Sequence, residues 1–259
     1  MTMTRRWTPA DNLHDLGSGT TLVTGTGANW AVVRNGDDYT LIDCGYPGDT
    51  GMLDASLEAI GVKGLPAAVV ITHAHGDHIG NLPRYLAAGV PVHLAAAEIP
   101  NITGARREQI GPKQSIPRAL RSWRWAKWSI HAIRVGGLKD HTVPAEGLTP
   151  FSTDTEVLDV PGALRPVMST GHTSGHASYL VGDTGVLLSG DAVVTAHMVS
   201  PVKDFPQLLA DPYHADVRHA HRTAEILLDW DSFDVLAPGH GDPIRVPEGG
   251  RLALTPVSC

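Results

Sequence analysis

Four potential metal ligands lie within six residues of the segment ITHAHGDHIGN, residues 71–81: His73, His75, Asp77 and His78. Imidazole and carboxylate groups are ligands that zinc and similar divalent metals accept. His73 and His75 are two residues apart, so extended backbone directs both side chains to the same side. Gly76 permits a sharp turn, after which Asp77 stands where a helix begins, a favoured place for a carboxylate. The segment therefore predicts two pairs of ligands aimed at two adjacent points.

Three more candidate ligands follow apolar runs, each beside a glycine. They are His172 in STGHTSGH, Asp191 in LLSGDAV and His240 in LAPGHGD. Glycine at such points lets the backbone turn sharply and approach closely. The Asp191 carboxylate can bridge two cations. A closed structural zinc site is disfavoured, because the chain has only two cysteines, Cys44 and Cys259.

The blocks THAHGDHIGN, GHTSGHASYLV, SGDAV and PGHGD, in that order, resemble the metallo-β-lactamase-fold hydrolases, and the glyoxalase II and lactonase-like branch in particular. The resemblance covers most of the chain, from about residue 22 to 243. It implies an α/β fold, an αββα four-layer sandwich of two mixed β-sheets flanked by helices, with the metals at one edge.

The same resemblance implies a role for each candidate ligand. One divalent ion would be held by His73, His75 and His172, and a second by Asp77, His78 and His240. Asp191 would bridge the two ions. Asp43, in LIDCG, and His176 would hydrogen-bond to the ligands or to their loops and so hold them in position. Zinc is the expected metal.

Such a ligand set favours hydrolysis. Three terminal ligands for each ion and a shared carboxylate leave room for a bridging hydroxide, which is typical of an open catalytic site. The hydroxide would attack an acyl carbonyl, with Asp77 as the catalytic residue that orients it. The formal charge of the site is about +1, which favours an anionic substrate.

Strands and helices alternate along most of the chain, which indicates one α/β domain over residues 1–259. We predict a hairpin turning at Asn35-Gly36, a helix from the histidine cluster to Gly89, and a helix over residues 216–230. Residues 104–140 break this rhythm and are predicted to form an inserted cap. They carry a net charge of +7, whereas the remainder carries −14. Within the cap, residues 118–134 have the spacing of one amphipathic basic helix.

The cap provides the clues to the substrate. Large apolar surfaces and guanidinium groups there predict contacts with an apolar acyl group joined to an anionic part. The candidate substrate-binding residues are Trp123, Arg124, Trp125 and Trp128. A solvated lid packed by its tryptophans, a dimer contact and a membrane-surface helix are the alternatives for this segment.

Within the resembling family, Asp191 disfavours a dedicated β-lactamase. Val194 stands where the similar lactonases carry a tyrosine, and His75 disfavours the flavodiiron branch. The predicted function is zinc-dependent hydrolysis of an ester, lactone or thioester. The alternatives are a sulfur dioxygenase-type redox enzyme with one iron, and an enzyme that hydrolyses β-lactams.

The bulk properties limit the partners. A net charge of −7 and a pI near 6.0 disfavour nucleic-acid binding. No apolar run approaches the roughly 18 residues of a membrane span, and no secretory signal is recognisable. We expect a cytoplasmic protein with a small-molecule substrate and no stable membrane insertion, and leave a homodimer open. Eight further histidines have no ligand-like context: His14, His93, His131, His141, His197, His214, His219 and His221.

Overall fold

The computed structural model describes residues 7–137, 139–152 and 156–257. Its first sheet has seven strands whose spatial order follows the chain. They are β1 (Leu13–Gly17), β2 (Thr20–Thr24), β3 (Asn29–Asn35), β4 (Asp38–Ile42), β5 (Ala68–Val70), β6 (Val92–Ala95) and β7 (Leu148–Phe151). The first four strands pair antiparallel and β4 to β7 pair parallel, so the sheet is mixed.

The second sheet is built from the second half of the chain. Its strands are β8 (Leu164–Met168), β9 (Ala177–Val181), β10 (Val186–Gly190), β13 (Val235–Pro238) and β14 (Ile244–Arg245). Their spatial order is β14-β13-β10-β9-β8, with β10 and β13 parallel. A separate two-stranded ribbon joins β11 (Val194–Ala196) and β12 (Lys203–Gln207).

Eight α-helices connect or flank the strands in the described part of the chain. They are α1 (Pro9–Asn12), α2 (Thr50–Ile60), α3 (Gly76–Ile79), α4 (Leu82–Ala87), α5 (Ile99–Ile102), α6 (Pro112–Ala119), α7 (Trp123–Arg134) and α8 (Val217–Leu228). Parallel strands need crossover connections, which α2, α3 and α4 supply around β5.

Successive side chains of the central strands point alternately to the two faces of each sheet, and this produces the layers of the fold. Leu41 of β4 packs towards Leu53 of α2, whereas its neighbour Ile42 packs between the two sheets. In the second sheet Leu188 faces the first sheet and Leu187 faces α8. Because successive side chains point to opposite faces of a strand, each sheet is covered on both sides. The predicted αββα sandwich is confirmed.

The predicted hairpin is confirmed, since Asn35 of β3 pairs with Asp38 of β4 across the turn. The helix after the histidine cluster differs from its prediction, because it is divided into α3 and α4. Gly80 donates its N–H to the Gly45 carbonyl, 2.8 Å away, instead of to the helix. Pro83 has no N–H to continue the ladder and fits the first turn of α4.

The prediction of one helix over residues 118–134 is also wrong. Helix α6 ends at Ala119, and Ser122 takes extended backbone (φ −139°, ψ 124°) before α7 begins. Serine in this conformation is typical of a residue that starts a new helix. Both helices belong to the excursion between the parallel strands β6 and β7. The assignment of residues 1–259 to one domain, with residues 104–140 as an inserted cap, stays a prediction.

Candidate metal centre

The seven predicted ligands meet at one edge of the sandwich, where four strands end. His73 and His75 follow β5, and His172 follows β8. Asp191 comes directly after β10, and His240 comes two residues after β13. Asp77 and His78 lie in the short helix α3, for which His75 is the N-terminal cap residue.

The first group of ligand atoms consists of three buried imidazoles. His172 Nε2 lies 3.2 Å from His73 Nε2 and 3.0 Å from His75 Nδ1. Burial and the neighbouring imidazoles hold the pKa of His73 and of His172 well below the usual value. Burial likewise lowers the pKa of His75 to about 4. All three rings are therefore neutral near pH 7.

Hydrogen bonds to the Nδ1 atoms of His73 and His172 determine which ring nitrogen of each is unprotonated. Thr72 Oγ1 donates to Asp43 Oδ2, so at 3.0 Å it accepts from His73 Nδ1. His214 Nε2 donates to the Leu209 carbonyl, 3.0 Å away. His214 Nδ1 is then an acceptor for His172 Nδ1, 3.4 Å away. The Nε2 lone pairs of His73 and His172 therefore converge.

The second group contains Asp77, His78 and His240. Asp77 Oδ2 lies 3.6 Å from His240 Nε2 and 4.0 Å from His78 Nε2. Asp43 Oδ2 accepts a 2.8 Å bond from His78 Nδ1, and the Gly27 carbonyl accepts one from His240 Nδ1. Burial opposes the charged imidazoles, but Asp191 and neighbouring carboxylates outweigh it and raise the pKa of His78 and of His240.

Asp191 lies between the two groups. Its Oδ2 is 3.5 Å from His172 Nε2 and 3.1 Å from His240 Nε2, while its Oδ1 is 3.4 Å from His78 Nε2. Burial alone would raise the pKa of this carboxyl, but His240 and His78 hold it well below the usual range. The carboxylate is therefore ionised and reaches ligands of both groups.

His176 holds Asp191 in place through its backbone. Its Nε2 accepts the Asp191 N–H at 3.0 Å, and its Nδ1 lies 2.8 Å from Ser169 Oγ. Asp43 supports the other side, accepting from the Thr72 N–H and hydroxyl as well as from His78. Both residues thus contact candidate ligands or their backbone from the side away from the converging ligand atoms, and their role in supporting a metal site stays a prediction.

These donors suit divalent cations. The ligand atoms of each triad, His73-His75-His172 and Asp77-His78-His240, lie within 4.8 Å of one another. Among the described residues, His78 Nε2 and Asp191 Oδ1 are buried and, although 3.4 Å apart, form no hydrogen bond of normal geometry with each other or with another group. Converging lone pairs in the first triad and buried polar atoms without a hydrogen bond are costly unless a cation is shared among them. The residues present therefore fit two cations with Asp191 between them, and their assignment as ligands is a proposal.

Four histidines whose sequence context does not resemble that of a ligand lie around this centre. The ring of His197 is centred 5.0 Å from that of His240, and His214 contacts His172. His141 packs against Gly76, where an added Cβ would lie 2.3 Å from the ring. Across the site, His131 Nε2 lies 3.5 Å from Thr26 Oγ1. No spacing in the sequence separates these four histidines from solvated ones, since their neighbours are distant along the chain.

The sequence did not predict a role for Glu98 at this site. It is fully buried, and its carboxylate accepts from the Ala74 N–H, the Thr173 hydroxyl and the Gly175 N–H. These bonds join the segment of His73 and His75 to that of His172. Its position after the end of β6, beside β5 in a parallel sheet, was the available signal, because such strand ends meet at one edge.

The four predicted substrate-binding residues all belong to α7, but they lie on different sides of this helix. Trp128 packs on Tyr213, and its ring centre is 6.5 Å from that of His197, on the side of the metal centre. Arg124 and Trp125 line another cavity of about 930 Å³, which none of the seven ligands lines. Trp123 is 67% exposed. Their role in substrate binding stays a prediction.

A smaller cavity of about 190 Å³ adjoins the first triad. Its wall includes His75 and His141 together with the cationic side chains Arg106, Arg107 and Lys139. Arg106 Nη1 lies 3.8 Å from Glu108 Oε1, whereas Arg107 and Lys139 have no carboxylate within 4.0 Å in the described part of the chain. Glu108 and Asp140 also line this cavity, so three cations face two carboxylates and the formal charge of the wall is +1.

A family model described as the metallo-beta-lactamase superfamily matches residues 23–240, most of the chain. The chain belongs to the metallo-β-lactamase superfamily. Matches to two solved structures of similar fold cover 86% and 88% of it: TTHA1623 in a di-iron-bound form, and the metallo-β-lactamase SMB-1 with mercaptoacetic acid. They span 93% and 79% of those chains, with TM-scores of 0.56 and 0.58 and identities of 23% and 16%. These low identities show the fold alone.

Curated relatives in the superfamily include hydrolases. A probable metallo-hydrolase, YflN of Bacillus subtilis (strain 168), is 29% identical over 80% of this chain and 76% of its own length. A hydroxyacylglutathione hydrolase of Xanthomonas campestris pv. campestris (strain B100) is 30% identical over 63% of this chain. The match spans 45% of that enzyme. Membership and these relatives indicate a metal-dependent hydrolase.

The hydrogen bonds behind the ligands predict that the two metal positions can be weakened separately. Asp43→Asn should weaken the ion at His78 about 10- to 100-fold, because an amide offers one acceptor where Asp43 offers two. His214→Phe should instead weaken the ion at His172 by a similar factor. Calorimetric titration of Zn²⁺ into metal-free protein would resolve the two affinities.

His93→Phe is the matched control for this pair. His93 lies on β6, burial lowers its pKa, and no described contact joins its side chain to a candidate ligand. Its two affinities should equal those of the wild type. If Asp43→Asn and His214→Phe lower the same affinity, the assignment of these residues to separate positions is wrong.

A further finding concerns the membrane. Within residues 7–137, 139–152 and 156–257, no helix combines the length and apolar character that crossing a bilayer requires.

Proposed function

We propose that this chain is a dinuclear metal hydrolase, with two zinc ions, that cleaves an ester, lactone or thioester of a small anionic molecule. The observation that carries the proposal is the Asp191 carboxylate, which is buried between two triads of ligand atoms and reaches both. A single closed structural ion would not need a second complete triad beside it.

When bound, a pair of divalent cations supplies an activated water and polarises the scissile carbonyl. The chain supplies the positioning. Asp77 is the only one of the seven ligands that is not buried, and its carboxylate faces the gap between His78 and His240. It can accept the proton of an attacking water there and orient that water towards the carbonyl carbon.

The cavity beside His75 supports an anionic substrate, since its wall carries three cations against two carboxylates, Glu108 and Asp140. Arg107 and Lys139 form no ion pair within 4.0 Å among the described residues, so their charges are available to a carboxylate or phosphate of the substrate. The hydroxyacylglutathione hydrolase relative favours a thioester within this class. Trp128, beside His197, could contact an apolar acyl part on the other side of the ligands.

A panel of anionic thioesters, lactones and β-lactams, offered to the zinc-loaded protein, tests this function. We expect hydrolysis of a thioester or lactone. The double variant Arg107→Ala/Lys139→Ala should raise KM for an anionic substrate about 10- to 100-fold with little change in kcat. Charge-assisted hydrogen bonds contribute about 1.5–3 kcal/mol, and each 1.4 kcal/mol corresponds to about a factor of ten.

The neutral methyl ester of the same substrate provides one control, and its KM should not change in the double variant. Lys63→Ala/Arg218→Ala removes two exposed charges elsewhere and should leave both substrates unaffected. The proposal fails if protein that binds two zinc ions hydrolyses none of the panel. The proposal of an anionic substrate alone fails if Arg107→Ala/Lys139→Ala changes KM equally for the anionic substrate and for its neutral methyl ester.

A further inference from the structure

Large apolar side chains are exposed mainly on one part of the molecule, the cap hairpin, which we define as α6, α7 and their turn, residues 112–134. Nine large hydrophobic residues are exposed in the described part of the chain, and five of them belong to this hairpin. The five are Ile116 (57%), Leu120 (83%), Trp123 (67%), Ile130 (49%) and Ile133 (58%). Such a concentration marks an interaction surface, whereas isolated exposed apolar residues do not.

Helix α7 shows how this surface is arranged. At 3.6 residues per turn, Trp123, Ala126, Ile130 and Ile133 fall within about 80° of the helix circumference. The opposite face holds the helix on the body, because Trp125 and Ala132 are buried and Trp128 packs on Tyr213. An apolar stripe normally faces the core. Here a second stripe faces solvent, so it is not needed for packing α7 on the body.

Positive charges border the exposed stripe. Lys127 and Arg134 fall within about 40° of Trp123 on the helix circumference, and both are exposed. The Arg124 guanidinium stacks on the Trp123 ring, 5.3 Å from its centre. None of the basic residues of the hairpin has a carboxylate within 4.0 Å among the described residues: Lys113, Arg118, Arg121, Arg124, Lys127 and Arg134.

We propose that the cap hairpin docks the protein on the surface of an anionic lipid bilayer. A helix with tryptophan, leucine and isoleucine on one side and lysine and arginine beside them lies in the plane of a membrane interface. Tryptophan favours that depth, and basic residues there are attracted by anionic headgroups. Docking of this kind is peripheral and reversible. It is independent of the reaction proposed above.

A second copy of the chain is a poorer occupant of this surface. Contact between two caps would place two segments of net charge +7 against each other. Contact between the cap and the acidic body of another copy would be heterologous, and such contacts close into a dimer only by a special rotation. A bilayer satisfies both the apolar stripe and the charge at once.

Docking would also bring the metal centre close to the lipid. Trp128, on the inner face of α7, lies beside His197, whose ring is 5.0 Å from that of His240. Helix α7, about 10 Å in diameter, and the side chains of Trp128 and His197 therefore lie between the bilayer surface and His240. Substrates with an apolar acyl part are enriched at such a surface.

Sedimentation with lipid vesicles tests the proposal. We expect the protein to bind vesicles of 70% phosphatidylcholine and 30% phosphatidylglycerol at 50 mM NaCl, and to bind at least about tenfold more weakly to pure phosphatidylcholine or at 500 mM NaCl. The comparison uses the wild-type protein, so it does not depend on the folding of any variant. Equal binding to both vesicles, or binding to neither, would overturn the proposal.

Two substitutions locate the surface. Leu120→Ser/Trp123→Ser should lower the vesicle partition coefficient at least about tenfold, since a buried CH₂ group contributes about 0.8 kcal/mol to membrane binding. Phe205→Ser/Ile226→Ser is the matched control, because these side chains are also large, apolar and more than half exposed (59% and 60%) but lie outside the cap. An equal loss of vesicle binding in both variants would contradict docking on lipid. So would a dimer of the wild-type protein, formed without vesicles, that is lost in the cap variant and kept in the control.

Discussion

Replacing Asp191 by asparagine should reduce kcat/KM for the best substrate at least about 10³-fold and leave the fold intact. The Asp191 oxygens lie 3.1–3.5 Å from His78, His172 and His240, which belong to both ligand groups. An amide keeps one acceptor oxygen and presents an NH₂ group to the other side. A metal contributes several kcal/mol to transition-state stabilisation, and about 4 kcal/mol corresponds to a factor of 10³.

The measurement combines steady-state kinetics with metal analysis and thermal unfolding of the same samples. Asp183→Asn, in the exposed turn between β9 and β10, makes the same chemical change away from the site and should have no effect. His73→Ala together with Asp191→Ala should lower activity to the uncatalysed rate. An Asp191→Asn protein that binds two metal ions and keeps more than a tenth of its activity would show that the carboxylate does not bridge them.

The sequence was sufficient to predict that the seven candidate ligands lie together, for two reasons. His73, His75, Asp77 and His78 are close along the chain, so local backbone geometry alone directs them to one place. The three distant ligands stand beside glycines at strand ends, and the ordered blocks resemble one family. The αββα layers follow from short apolar runs whose successive residues face opposite sides of a sheet.

The residues around the ligands could not be predicted in this way. His214 contacts His172 across 42 residues, and Glu98 bonds to Thr173 across 75. Neither pair has a spacing that periodicity can detect, because the contact exists only after the two sheets and their loops have packed. A histidine beside a metal and a solvated one have the same appearance in a single sequence.

The cap shows a second limit of sequence analysis. Apolar spacing at Trp123, Ala126, Ile130 and Ile133 predicts an amphipathic helix, but periodicity does not specify which face the body covers. In the structure the body covers Trp125, Ala132 and Trp128 instead. The solvent-facing stripe became recognisable as an interaction surface only when the burial of both faces was known.

Removal of the metal with a chelator should have the second large effect, on stability as well as on activity. The metal-free centre retains three neutral imidazoles whose nitrogens are 3.0–3.2 Å apart, together with the buried Asp191 carboxylate. Cations that bind only the folded state stabilise it by about 4 kcal/mol at a thousandfold excess over Kd. For a chain of this size we expect the melting temperature to fall by about 10 °C and hydrolysis to stop.

Restoring the metal then distinguishes the proposed hydrolase from a one-iron redox enzyme on the same fold. Titration with Zn²⁺ should recover hydrolysis and the melting temperature together, with a breakpoint at two ions per chain, because two complete triads share Asp191. Metal analysis of protein purified without added metal provides the independent check. One iron per chain, with no recovery of hydrolysis by zinc, would contradict the dinuclear hydrolase. Asp183→Asn protein, treated in parallel, controls for damage by the chelator, since that substitution leaves every proposed ligand in place.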